Sequence, residues 1–241
     1  MKMLATLAFL VAALGLASSA QAATATFDDL PTLPAVNSAT GLYFANGDSS
    51  SYAGVLWDTR FNVVGDLYRV DTITPGPRFG IPHSGRYFVT NDGAGNSNNG
   101  MVISTSMVLT GAWFGRNEYY GYGAGADQVT IYALSGSTEL SSLVFDLPAA
   151  PSLPPGPEGP GGQPAVLQFF DTSAFTVLTG ITGYRIDRRE IGTLNGSWVA
   201  DDFSFAAPVP EPGIPALLLA GLGVIGWVRR GASIAETTPT S

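Results

Sequence analysis

"DQVTIYALSGSTELSSLVFDL", residues 127–147, is the stretch from which the fold class can be read. Gln128 to Leu134 and Leu140 to Leu147 are short runs rich in β-branched and aromatic side chains, and Ser135-Gly136-Ser137 between them has the chemistry of a hairpin turn. The same unit recurs on both sides. Upstream, Ala25-Thr26-Phe27, Phe61 to Val64, Tyr68 to Ile73, Arg86 to Thr90 and Met101 to Leu109 read as strands, bounded by Gly, Asn, Asp or Pro. Downstream, Val166 to Phe170, Ile181 to Ile186 and Trp198 to Phe205 complete the set. Helical spacing is nowhere sustained between residues 23 and 207. About ten short strands at this spacing predict an all-β domain, a two-sheet antiparallel β-sandwich.

Pro148 to Pro164 interrupts the pattern with seven prolines and four glycines in 17 residues. Proline cannot donate to a sheet ladder, so this stretch predicts an extended, mobile loop. Only about 40 residues separate it from residue 208, too few for a second cysteine-free domain. Residues 23–207 therefore read as one domain with an enlarged loop at 148–164. With Lys2, Arg229, Arg230, Glu211 and Glu236 set aside, those residues hold 17 acidic side chains against 8 arginines, a net charge of −9. Phosphate backbones would be repelled, which excludes nucleic acid as a partner.

Both ends carry hydrophobic signals. Met1 to Ala22 has Lys2, an apolar stretch from Leu4 to Leu16 and the small-residue sequence Ala20-Gln21-Ala22. It predicts a secretory signal helix over residues 1–22, with Ala20 and Ala22 defining the cleavage site. An exported chain without a single cysteine must be held by its core or by a metal rather than by disulfides. At the other end, "VPEPGIPALLLAGLGVIGWVRR", residues 209–230, places Val209-Pro210-Glu211-Pro212 before an apolar run, Gly213 to Val228, closed by Arg229 and Arg230. The run has 16 residues, short of the roughly 20 that cross a hydrocarbon core squarely. It reads as a single, marginal membrane helix whose arginines keep the C-terminus cytoplasmic. Residues 231–241 read as a disordered extension.

This tail resembles the PEP-CTERM sorting tail, in which a Val-Pro-Glu-Pro box, an apolar helix and a short basic cluster follow one another. The resemblance implies a sorting tail over residues 208–230, held in the inner membrane of a Gram-negative bacterium. It also implies an exosortase that reads Val209, Pro210, Glu211 and Pro212, in species that make exopolysaccharide and biofilm. After processing, the protein would pass to the cell envelope, cell surface or extracellular matrix. Two departures bear on processing: only Arg229 and Arg230 close the tail, and Gly231 to Ser241 follow them. A permanent anchor and a buried helix are the other readings of the segment. The order of "TFDDL", "YAGVLWD", "GAWFGRNEYYGYG" and "ITGYRIDRREIGTLNGSWVADDFSF" looks like the jelly-roll domains common among PEP-CTERM proteins, which are similar to galactose-binding-like and carbohydrate-binding modules. That likeness implies a fold more than a ligand.

Candidate chemistry centres on two diacids, Asp28-Asp29 and Asp201-Asp202. First and last strands of such sandwiches usually lie side by side, and four clustered carboxylates need a cation or protons. Calcium suits that donor set. Alternation places Asp29 with Phe27 and Asp201 with Val199, Phe203 and Phe205, both inward, while Asp202 points outward with Trp198 and Ala200. Asp29 and Asp201 are thus the expected primary ligands. The alternative is that one aspartate of each pair ties down backbone and the other is solvated. Tyr119, Tyr120 and Tyr122, in the glycine-rich "GRNEYYGYGAGAD", could present flat faces to sugar rings or seal the edge of a core. Trp57-Asp58 is a weaker candidate of the same kind. "NDGAGNSNNG", residues 91–100, lacks calcium-loop spacing and reads as a hairpin tip. His83, the only histidine, has Ser84 beside it but no triad spacing and reads as an ordinary loop residue. The functional reading is an exported, non-enzymatic β-sandwich with extracellular polysaccharide as partner. The alternative is a polysaccharide hydrolase working through paired carboxylates.

Overall fold

The computed structural model describes residues 22–36, 42–43, 51–68, 79–93, 96–97, 99–117, 125–148, 166–189 and 196–208. The expected signal peptide up to Gln21, the strand expected beyond Tyr68, residues 149–164 of the proline-rich loop, Tyr119, Tyr120 and Tyr122, and everything from Val209 onward lie outside them. By Cα proximity the chain divides into Met1–Pro208 and Val209–Ser241.

The strands in chain order are β1 (Ala23–Ala25), β2 (Leu42–Tyr43), β3 (Ser51–Tyr52), β4 (Val55–Trp57), β5 (Asn62–Gly65), β6 (Tyr87–Thr90), β7 (Asp92–Gly93), β8 (Asn96–Ser97), β9 (Met101–Ser104), β10 (Val108–Asn117), β11 (Gln128–Ser135), β12 (Thr138–Asp146), β13 (Gln168–Asp171), β14 (Gly183–Arg189) and β15 (Ser197–Ala206). A short 3-10 turn, Ser173–Val177, is the single helical element among the described residues. The expected hairpin is β11–β12. Gly136 at φ +59° opens its two-residue turn, and Ser135 pairs with Thr138 across it. Glycine at the first position of so tight a turn suits the right-handed twist of the flanking strands.

Among the described residues all pairings are antiparallel and fall into two sheets plus a small ribbon. The first sheet runs β13-β10-β15-β6-β5-β2, with β1 also paired to β15; the second runs β12-β11-β14-β9-β4-β3. The ribbon, β7–β8, forms the hairpin expected within residues 91–100. The inner faces meet in one core. Phe114, Trp198, Phe203 and Phe205 of the first sheet interleave with Trp57, Ile103, Ile131 and Tyr184 of the second. Trp57 meets Phe203 edge-on with centroids 5.1 Å apart, and Phe145 stacks on Phe170 at 4.5 Å, closing the β12/β13 side. Each fully buried ring of this kind contributes about 1.5–3 kcal/mol.

Two features position the site. Met101 to Leu109 is not one strand: β9 ends in the second sheet at Ser104, and β10 begins in the first at Val108. The buried Tyr184 hydroxyl holds this crossing, accepting the Leu109 N–H at 2.8 Å and donating to the Met107 carbonyl at 3.1 Å. The first sheet is also covered on its outer face. There Val64, Phe88 and Val199 form a second cluster with Leu167 and Phe79, beneath the segment 79–86. That is why Tyr87, Phe88, Val89 and Thr90 of β6 are all buried instead of alternating.

Candidate functional site

The first and last strands do lie side by side, with Ala23 opposite Phe205 and Ala25 opposite Phe203. The alternation expected along β15, however, does not hold. Trp113 pairs with Asp201 and Gly111 with Ser204, so two steps along β10 match three along β15. Asp202 occupies the bulge at φ +48°, a left-handed conformation that aspartate tolerates better than most residues. The bulge changes the phase of the strand. Trp198, Ala200, Phe203 and Phe205 all face the main core, while Val199 and Asp201 face outward beneath residues 79–86. Asp201 therefore does not share a face with Phe203 and Phe205, and Trp198 and Ala200 do not point to solvent.

Asp201 is nonetheless 0% exposed. Its Oδ2 accepts the backbone N–H groups of His83 at 2.9 Å and Ser84 at 3.0 Å, and its Oδ1 accepts that of Asp202 at 2.8 Å. Burial, reinforced by the neighbouring Asp202 charge, outweighs these donors and pushes the Asp201 carboxyl up to about 8. Asp202 takes the Ser84 hydroxyl on Oδ1 at 2.8 Å and the His83 Nδ1 on Oδ2 at 2.5 Å. Asp28 accepts the Arg86 N–H at 2.7 Å. Gly85, at φ +55°, makes this possible, because a Cβ there would fall on the Asp28 carboxylate. Three of the four aspartates thus fasten one turn, His83 to Arg86. The fourth, Asp29, is exposed and accepts the Tyr52 hydroxyl proton at 2.5 Å, while that hydroxyl accepts the Phe27 N–H at 3.0 Å. Burial, then the Asp29 hydrogen bond, raises the Tyr52 pKa.

Asp29 and Asp201, expected as a pair, thus go to different partners. Among the described residues no three His, Cys, Asp or Glu side chains are grouped to hold a metal. Ser84, His83 and Asp202 adjoin one another without forming a nucleophilic triad. The serine hydroxyl donates to the aspartate, so the imidazole does not act as its base. Trp57 is buried in the core, and Asp58 is bound to Arg60 through both oxygens.

Sequence reasoning singled out His83 but missed what it touches. The imidazole stacks on Trp113 with ring centroids 3.5 Å apart and planes 13° apart. Trp113 is also opposite Phe169 in the β10–β13 ladder, centroids 5.5 Å apart, and Phe169 is 50% exposed. The result is a row of rings, His83, Trp113 and Phe169, on the outer face of the first sheet. A signal for it was present: Ala112 and Phe114 face the core, so period-two alternation turns Trp113 outward, as it turns Phe169 outward beside buried Phe170. Tyr119, Tyr120 and Tyr122 follow β10 after Asn117, which pairs with Ser197 at the opposite end of β15 from Ala206.

Beyond Ala206 the sequence runs directly into the Val-Pro-Glu-Pro box, and there a protein-family model matches. Residues 208–231 carry a PEP-CTERM protein-sorting motif. The PEP-CTERM motif makes this an exported protein of the cell envelope, processed at the membrane, and implies an exosortase-type sorting enzyme as its partner. No curated protein matches the chain. Among solved structures, the K2 cleaved adhesin domain of Lys-gingipain (Kgp) is similar at a TM-score of 0.38 and 14% identity, covering 77% of this chain and 99% of that chain. A likeness that loose transfers neither fold nor function.

Proposed function

We propose that this PEP-CTERM protein is a non-enzymatic β-sandwich module, released by an exosortase to the surface or matrix of a Gram-negative cell, where it binds exopolysaccharide. The single observation that carries the binding role is the row of His83, Trp113 and Phe169, which gives an outer sheet face an aromatic surface next to the Asp202 carboxylate. Flat rings flanked by hydrogen-bonding groups suit the apolar faces and hydroxyls of sugars. The non-enzymatic part rests on how the acids are spent. A hydrolase with paired carboxylates needs one acid of raised pKa facing the glycosidic oxygen. Among the described residues the acid with that property is Asp201, which is fully buried with both oxygens occupied by backbone N–H groups. No sugar reaches it.

Binding is tested by electrophoresis of the purified full-length protein through gels containing exopolysaccharide from the producing cells. Retardation that disappears when free polysaccharide is added is the expected result. Equal mobility with and without polysaccharide, or release of reducing ends on incubation, would overturn the reading. Intact mass of the protein from its native host tests the sorting arm, since processing at the box removes the residues beyond it.

A further inference from the structure

We propose that the face of Trp113 covered by His83 is the seat of a non-acidic pyranose, whose ring displaces the imidazole and takes over its hydrogen bond to Asp202. The proposal rests on the exopolysaccharide reading above and assigns it a site and a sugar class. Three observations carry it. First, a ring already lies on the indole in the geometry a pyranose adopts, parallel within 13° and 3.5 Å away. Second, beyond its own side chain that ring is held by just the two contacts a sugar would replace, the hydrogen bond to Asp202 and the stack on Trp113. Asp201 clamps the His83 and Ser84 backbone N–H groups, and the Ser84 hydroxyl is tied to Asp202, so rotation about the His83 side-chain bonds uncovers the indole without moving the turn. The imidazole is also 36% exposed, whereas Asp202 beneath it is 13% exposed. Third, once the imidazole leaves, Asp202 needs a new donor. A hydroxyl or an ammonium on the sugar supplies one.

The surrounding charge selects the class. Asp202 stands at one end of the row, and Asp171, opposite Gly111 in the same ladder as Trp113 and Phe169, stands along β13. Asp28 lies behind the turn, on the Arg86 N–H. Among the described residues the arginine of this turn, Arg86, is engaged with Asp66 at 3.3 Å. A uronate would bring its carboxylate into this field and be repelled; a neutral or amino sugar is not. Phe169, 5.5 Å from Trp113, extends the platform toward a second ring of the same chain.

Because the imidazole must vacate the indole first, the apparent affinity is reduced by the fraction of time the face is uncovered. Removing the imidazole then tightens binding, the reverse of what a structural role predicts. Calorimetric titration of the full-length protein with cellohexaose, a glucosamine hexamer and a hexauronate measures this. For His83→Ala, binding of the neutral or the amino hexamer should tighten by about tenfold, with the hexauronate at least about tenfold weaker than either. Trp113→Ala and the half-exposed Phe169→Ala should each weaken the same titration, with melting curves used to check that both remain folded. Unchanged or weaker binding by His83→Ala, or equal binding of the hexauronate, would overturn the proposal. If the variants all retain wild-type retardation in exopolysaccharide gels, the protein still binds polysaccharide but this face is not where it does so. If the wild type shows no retardation, it is the broader reading that fails.

Discussion

A carboxyl group sealed from water yet surrounded by three N–H donors is pulled both ways, and at Asp201 burial prevails. Its pKa is raised from the ordinary 3.8 to about 8 in the folded protein. The folded state therefore keeps a proton that the unfolded chain has lost, over the window from about pH 4 to about pH 8. The stability this proton confers is complete below the unfolded pKa and declines as pH rises through the window, by up to about 1.4 kcal/mol per pH unit from this group alone. Melting midpoints measured from pH 5 to pH 9 should fall, and Asp201→Asn, which has no proton to lose there, should flatten the profile. A wild-type profile that is level or rising would show that the N–H donors keep Asp201 ionised. The sequence announced the diacid at 201–202, but it could not say which way each carboxylate points. Alternation is a sound rule until a residue is added, and the left-handed Asp202 adds one.

At the scale of elements, hairpins bounded by polar turn residues were legible, and the passage from one sheet to the other was not. β11 and β12 announce themselves because Ser135-Gly136-Ser137 interrupts two apolar runs. Between β9 and β10 the break is confined to Ser104-Thr105-Ser106, which carries neither glycine nor proline, so nothing in it marks that the chain changes sheets there. The deciding contact is remote in sequence, the Tyr184 hydroxyl that serves Leu109 and Met107 together. Burial pushes this phenol up to about 12, so it stays protonated and able to donate at any physiological pH. Tyr184→Phe strands one donor and one acceptor in the core. It should lower stability by about 1–3 kcal/mol in urea unfolding, with little change in the slope of the transition. A loss below about 0.5 kcal/mol would mean that the crossing is held by packing alone. The row of rings was legible in part, since alternation within Gly111 to Phe114 turns Trp113 outward; the arrival of His83 from another segment was not.

For the molecule as a whole, the two-sheet class, the meeting of first and last strands and the sorting tail all followed from the sequence, because each depends on composition and order instead of on individual contacts. The ion expected where the strands meet depends on contacts. Asp28, Asp201 and Asp202 already accept donors from the turn at 83–86, which calcium would have to displace, and Asp29 accepts the Tyr52 hydroxyl proton. Melting with millimolar calcium and with chelator should accordingly give the same midpoint. An upward shift with calcium would return the ion to these four residues.

β15 lies between β10 and β6 and also receives β1, yet it is the last strand of the domain to be made. A chain that ends before Ser197 has nothing to join those neighbours, and their apolar faces lack the seam that closes them. The sorting motif begins at residue 208, two positions after β15 ends. The strand that completes the sheet and the motif that addresses the protein are thus separated by Ala207 alone, so any break in the chain that costs the domain its central strand costs it the address as well.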